Sequence, residues 1–368
     1  MGSGYTLNFP GQIIFGDGSV SELKSILNNQ RILLVTGKHA KADGTCDRLL
    51  EYLSGNEICC EIGPGCEPTL DDVDSLVNAG REFSADTVVA VGGGSILDAA
   101  KAAAAIIPAG GLCSDYFSGD KKIMSKGLLF IALPTTSGTG AEITPNSVLI
   151  DSATEVKKSI RHQTMFADYA IVDPELTWSC PAKLSSASGM DALTQAVESY
   201  ISRGANMVSK ALAKRAVELI YPALPVVCAN PVDRSARSDM AEGSMITAMA
   251  FTQSSLGAVH GIGHPIGSLL HVPHGLCCAI LLPKVLKWNS IVCQNELNEL
   301  AAAVGSDDFI ASIEELCAKL NIPSGFGDFG LSEEHFDFIV KNCRSGSMRS
   351  NPRDMTDAEV TAFIKELI

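Results

Sequence analysis

The 368-residue chain sets 42 Asp and Glu against 28 Lys and Arg, a formal net charge of -14 at pH 7, with 46% hydrophobic and 19% charged residues. Nucleic acid and anionic membranes are both bound through basic patches that neutralise phosphate, so this balance argues against either as a partner and leaves small molecules. The length predicts two domains, each able to bury a core, in a compact globular protein. No apolar run looks long enough to cross a bilayer and no basic-then-apolar leader opens the chain, so a cytoplasmic location is expected.

The first half alternates short β-branched runs with helical stretches, the pattern of a parallel sheet with crossover helices. Arg31 to Thr36 (RILLVT) reads as a strand, followed by a helix near 47–53, a strand at 57–62 and a helix over about 70–83. Thr87 to Val91 is a further strand that ends at Gly92-Gly93-Gly94-Ser95, and the alanine-rich 96–107 is helical. Another strand, 128–133, runs into the hydroxyl-rich loop Pro134-Thr135-Thr136-Ser137-Gly138-Thr139-Gly140; 147–151 and 155–160 read as a hairpin, and 170–173 closes this half. From Pro181 onward strand signals give way to amphipathic helical runs at about 182–202, 206–227, 234–257, 294–304, 307–320, 332–343 and 356–367. The expected fold is therefore an α/β, Rossmann-like parallel-sheet domain over residues 1–180, followed by an all-α domain over 181–368.

Strand, glycine triplet, helix is an arrangement suited to a phosphate. The glycines admit close backbone approach, and the free N–H groups and dipole of the helix start favour negative charge. The loop at 135–140 offers hydroxyl donors after a second strand, and two such loops place a nucleotide at the carboxyl edge of an open sheet. The second half holds a different signal. Residues 259–275 contain four of the seven histidines, His260, His264, His271 and His274. Histidines gathered this tightly suggest a metal or proton-transfer site. His260 and His264 share a face if the segment is helical, and Pro273 makes a break just before His274. Asp191 and Gln195 lie one turn apart in a helical run, which makes Asp191 a candidate oxygen ligand. The twelve cysteines are scattered and never spaced C-x-x-C, so they read as reduced, small apolar residues.

VGGGSILDAAK (91–101), LPTTSGTGAE (133–142), DPEL (173–176), GMDALTQAVESY (189–200) and VHGIGHPIGSLLHVPHG (259–275) resemble, in order and spacing, the iron-containing (group III) alcohol dehydrogenases. The resemblance implies a dinucleotide-binding N-terminal domain, a helical C-terminal domain and a catalytic metal in the cleft between them. By this resemblance Gly93, Gly94 and Ser95 hold the pyrophosphate, Asp98 and Lys101 complete that motif, Thr135, Thr136 and Thr139 line the cofactor, and Lys157 or Lys158 reaches its ribose. Asp191, His260 and His274 match metal ligands, His264 lies beside nicotinamide and substrate, and His271 matches no ligand.

Two departures from the family pattern stand out. The histidine expected four residues after Asp191 is Gln195, a weaker, uncharged ligand that lowers iron affinity and favours zinc or an open, water-filled position; one divalent metal, Fe2+ or Zn2+, is expected, with a metal-free enzyme as the alternative. After the first strand, Val35-Thr36-Gly37-Lys38-His39 lacks the acidic residue of many NAD-specific relatives, and Gly37 with Lys38 and His39 could accommodate a 2′-phosphate, so NADP is expected beside NAD. The resulting expectation is an NAD(P)-dependent alcohol dehydrogenase or aldehyde reductase for small primary alcohols, working as a homodimer or larger homo-oligomer. The alternatives are a metal-independent reductase of an activated carbonyl, a dehydroquinate synthase-like lyase, or an inactive nucleotide-binding scaffold.

Overall fold

The computed structural model describes residues 4–368, which divide into two compact units, Asn8–Cys180 and Pro181–Ile368, with the segment up to Leu7 grouped in the second. The first unit runs β1 (Gln12–Phe15), α1 (Leu23–Ile26), β2 (Arg31–Thr36), α2 (Lys38–Ala42), α3 (Thr45–Tyr52), β3 (Glu57–Ile62), α4 (Leu70–Phe83), β4 (Thr87–Gly92), α5 (Gly94–Ala109), α6 (Cys113–Ser118), β5 (Leu129–Pro134), β6 (Asn146–Asp151), β7 (Val156–Arg161) and β8 (Tyr169–Val172). Six strands form one wholly parallel sheet in the order β1-β8-β5-β4-β2-β3. β6 and β7 pair separately as an antiparallel hairpin.

The central strands β2, β4 and β5 are nearly continuous apolar runs because both of their faces are covered. Their period of two sorts the side chains: Leu33, Val35, Val88, Ala90, Phe130 and Ala132 pack with α4 and α5, whereas Ile32, Leu34, Val89, Val91, Ile131 and Leu133 pack with α1 and α3 on the other face. A capping box between Thr69 and Asp72 starts α4. Strand β1, which no alternating or apolar run marks in the sequence, joins the sheet edge by pairing Gln12 with Tyr169 through Phe15 with Val172. The Asp173 carboxylate fixes the segment after it, accepting hydrogen bonds from the N–H groups of Gly18 and Val20 at 3.1 and 3.0 Å.

The second unit consists of α7 (Ala182–Ile201), α8 (Met207–Ala229), α9 (Arg234–Ser254), α10 (Ala258–Leu270), α11 (His274–Ala303), α12 (Phe309–Lys319), α13 (Phe336–Asn342), α14 (Gly346–Ser350) and α15 (Asp357–Lys365). α7 is the hub, packed against α8, α9 and α11, and every residue from Gly189 to Ile201 is buried. The helix expected at 294–304 is the second half of the longer α11, which bends at Cys293 (φ -130°, ψ 31°). The helix expected at 332–343 is split into a 3-10 turn, Glu333–His335, and α13. Contrary to the expectation that no run could span a bilayer, α11 has the necessary length and apolarity, yet 56% of its most apolar stretch is buried within this unit. It is a core helix by packing. Gly275 permits its first turn to approach α7, since a Cβ there would lie 2.0 Å from the Ala187 carbonyl oxygen.

Candidate metal centre and nucleotide loops

Three helices of the second unit each contribute a pair of side chains spaced one turn apart: Asp191 and Gln195 from α7, His260 and His264 from α10, His274 and Cys278 from α11. The α10 helix ends at His271, which is exposed and left-handed (φ 52°), and Pro273 is the N-cap of α11. This sharp turn brings His274 back toward His260. The ring centroids of His260 and His274 are 5.3 Å apart, and His264 sits 5.9 and 5.1 Å from them. One ligand atom each from Asp191, His260, His274 and Cys278 lies within 4.8 Å of the others. Asp191 Oδ1 is 3.3 Å from His260 Nε2 and 3.6 Å from His274 Nε2.

Glu198, a further turn along α7, orients this group. One of its oxygens accepts from the Val259 N–H at 2.6 Å and the other contacts His260 Nδ1 at 2.6 Å, leaving Nε2 aimed at Asp191. Such a carboxylate behind an imidazole fixes tautomer and ring orientation. Burial alone would lower the His260 pKa, but Cys278, Glu198 and Asp191 outweigh it and hold it well above the ordinary histidine value. Burial pushes the Cys278 thiol up to about 12, with His260 opposing the rise and Asp191 adding to it. Asp191 Oδ1 and Gln195 Oε1 are both buried with no hydrogen-bond partner. Buried oxygens left this way carry a penalty of about 1–3 kcal/mol each unless something pairs with them. A carboxylate oxygen, two imidazole nitrogens and a sulfur converging on one point form a donor set that fits a divalent cation.

In the first unit, β5, β4 and β2 are neighbours, and the loops leaving them lie at their carboxyl ends. Gly93 is the N-cap of α5, its carbonyl accepts from the N–H groups of Ile96 and Leu97 at 3.0 and 3.1 Å, and no side chain caps the N–H groups of Gly94 and Ser95 before them. A Cβ on Gly94 would meet Thr139 Oγ1 at 2.5 Å, and one on Gly93 would meet Thr136 at 3.5 Å, so the two loops are in contact and a side chain at 94 would force Thr139 to move. The Thr135 N–H donates to the Gly92 carbonyl at 3.0 Å, holding the loops in register. Ser95 lies in the first turn of α5, and Gly37 with exposed Lys38 and His39 opens α2 just past β2.

Four residues named by the sequence resemblance, Asp98, Lys101 and the alternatives Lys157 and Lys158, are engaged elsewhere. Lys101 is buried, and its ammonium donates to the carbonyls of Ala141, Thr144 and Asn146 at 2.5, 2.8 and 2.8 Å. Asp98 accepts from the Val148 N–H at 3.1 Å and lies 3.7 Å from Lys101. Both face inward and fasten α5 to the segment entering the hairpin. Lys157 is paired with Glu67, and Lys158 lies 4.5 Å over the Phe117 ring.

Comparison with known proteins accounts for this pairing of a nucleotide-type loop with a histidine cluster. Residues 10–174 match the model for iron-containing alcohol dehydrogenase, and residues 185–368 match the C-terminal model of the Fe-containing alcohol dehydrogenase family. The chain belongs to the iron-containing alcohol dehydrogenase family. It is 34% identical to long-chain-alcohol dehydrogenase 1 of Geobacillus thermodenitrificans, covering 94% of this chain and 91% of that one. It is 31% identical to the NAD-dependent methanol dehydrogenase of Bacillus methanolicus, over 98% of each. The solved structure of a 1,3-propanediol oxidoreductase superposes with a TM-score of 0.94 over all of both chains at 31% identity.

Two residues of this site in the iron-containing alcohol dehydrogenase, Cys278 and Glu198, carry no motif of their own in the sequence. Glu198 could have been found as the third member of an i, i+4, i+7 series with Asp191 and Gln195, an acidic side chain on a face otherwise expected to be buried. Cys278 follows His274 by four residues, the same spacing as His260 and His264, but a cysteine in an apolar helix reads as core.

Proposed function

We propose that the chain is an NAD(P)-dependent oxidoreductase that interconverts a small primary alcohol and its aldehyde. In this reading the α/β unit binds the dinucleotide and the helical unit binds metal and substrate. The convergence of Asp191, His260 and His274 beside His264, in a member of this family, carries the proposal. A divalent cation bound there supplies a Lewis acid for the substrate oxygen, and the nicotinamide ring supplies or accepts the hydride.

The chain's own groups do the rest. Asp191, His260 and His274 hold the ion, Gln195 stands one turn from Asp191 where the family pattern has a histidine, and Glu198 keeps the His260 ring in place. His264, half-buried at the edge of the cluster, holds or passes the proton that the alcohol loses or the alkoxide gains. Gly93, Gly94 and Ser95 present N–H groups to the pyrophosphate, with Thr135, Thr136 and Thr139 beside it. Lys38 offers a cation to a 2′-phosphate, supporting use of NADP as well as NAD. Pairing with Glu67 leaves Lys157 a weaker candidate for the ribose. Assembly into a homodimer or larger oligomer rests on the family resemblance and is checked by light scattering.

The test is oxidation of NADH and NADPH against a panel of small aldehydes, before and after chelation. His260→Ala and His274→Ala should each abolish turnover while cofactor binding persists; full activity in both would refute the proposal. Chelation without effect on turnover would favour instead a metal-independent reductase, the reading suggested by Gln195.

A further inference from the structure

The metal set of this chain lacks a histidine at position 195, yet four strong ligand atoms still converge, because α11 presents Cys278 one turn after His274. We infer that Cys278 binds the metal as a thiolate and takes the place of the missing histidine, giving a site of one carboxylate, two imidazoles and one sulfur that is selective for zinc. The inference rests on the metal reading above and deepens it.

Four separations carry it. Zinc–nitrogen and zinc–oxygen bonds of about 2.1 Å and a zinc–sulfur bond of about 2.3 Å, at tetrahedral angles, set the N···O edges at about 3.4 Å and the S···N edges at about 3.6 Å. The observed N···O edges are 3.3 and 3.6 Å, from Asp191 to His260 and to His274. The observed S···N edges are 3.9 and 3.7 Å, from Cys278 to the same two nitrogens. Gln195 is thereby released from the need to ligate.

The surroundings agree. Cys278 is fully buried, and its sulfur lies against two imidazole nitrogens, whereas the buried thiols of Cys277, Cys293 and Cys317 donate to backbone carbonyls. Asp191 Oδ1, the atom common to both N···O edges, has no hydrogen-bond partner although it is buried. Metal binding forms one metal–sulfur bond, breaks the S–H bond and releases the proton to solvent, with no change of oxidation state. A thiolate makes the set softer than one carboxylate with three imidazoles, which favours zinc over ferrous iron.

The test uses the full-length protein, stripped of metal and titrated with Co2+ and then with Zn2+. Cobalt in the wild type should give an intense near-ultraviolet sulfur-to-cobalt charge-transfer band with tetrahedral visible bands. Cys278→Ser should lose the charge-transfer band and bind zinc more weakly by on the order of tenfold or more. Cys278→Ser combined with Gln195→His, which restores a nitrogen ligand, should recover affinity without recovering the band. Cobalt bound by the wild type with no charge-transfer band overturns the role of Cys278 while leaving the metal site at Asp191, His260 and His274 intact. Failure of the wild type to bind either ion overturns both the thiolate and the metal reading, and aldehyde reduction by that same metal-free protein then reports separately on the oxidoreductase reading.

Discussion

Replacing Lys101 with Met discriminates between two roles for a residue that the family motif places at the phosphate and the fold places in the interior. Burial pushes the Lys101 pKa down, but three carbonyls at 2.5 to 2.8 Å occupy all three N–H donors, which requires the ammonium form. Methionine keeps nearly the same length and volume, so little packing is lost. The variant leaves three carbonyls without a donor and the buried Asp98 without its cation. Removing one member of a buried pair costs about 3–5 kcal/mol. Urea unfolding at pH 7, followed by far-ultraviolet circular dichroism, should show the first transition moved down by that amount. Asp98→Asn in the same chain should restore part of it, because the uncompensated charge is then gone. Affinity for NADPH, measured well below the unfolding transition, should change less than about threefold, under 1 kcal/mol. A stability loss below about 1 kcal/mol together with a tenfold loss of cofactor affinity would refute the interior role and return Lys101 to the phosphate site.

The remaining predictions concern pH, metal and cofactor choice. Glu142 is buried, and burial raises its pKa from 4.5 to about 7. The folded chain therefore holds this proton up to about pH 7 while the unfolded chain sheds it near 4.5, so the stabilisation is complete below 4.5 and is lost as pH rises through 7. Glu142→Gln should flatten the fall in urea stability between pH 5 and pH 8 by on the order of 2–3 kcal/mol, and an unchanged difference between the two pH values would count against it. Glu198→Gln replaces the charged partner of His260 Nδ1 and should weaken metal binding by roughly 10–100-fold in a chelator competition. Lys38→Ala should weaken NADPH binding about tenfold, from the loss of one charge-assisted contact of about 1.5 kcal/mol, and leave NADH unaffected; equal effects on both would remove Lys38 from the 2′-phosphate.

The elements legible in the chain were those whose burial is complete and local. RILLVT and TVVAV are apolar on both faces because helices cover the sheet on both sides, so their runs needed no tertiary information. The glycine triplet and the histidine-rich stretch were legible because few other residues allow close backbone approach or supply imidazole. β1 was not, since it is an edge strand of four residues, half exposed, whose order comes from pairing with β8 at the far end of the unit in sequence. Direction was also hidden: a motif shows that Asp98 and Lys101 lie three apart on a helix, but only the packing of α5 against the segment entering β6 turns both inward.

The metal centre divides the same way. Asp191, His260 and His274 could be matched one position at a time, and the departure at Gln195 was visible as a missing nitrogen. Its counterpart was not, because Cys278 is one of twelve cysteines in a chain where most are core residues, and nothing in its own helix marks it. It becomes a ligand candidate only when the turn at His271 to Pro273 folds α11 back beside α10, and Gly275 lets α11 approach α7 at the Ala187 carbonyl. Residue types and spacing thus point to the family that the comparisons show and mark where the loops proposed for the nucleotide begin. The composition of its metal site depends on which atoms of three helices meet, a long-range distance that no local pattern encodes.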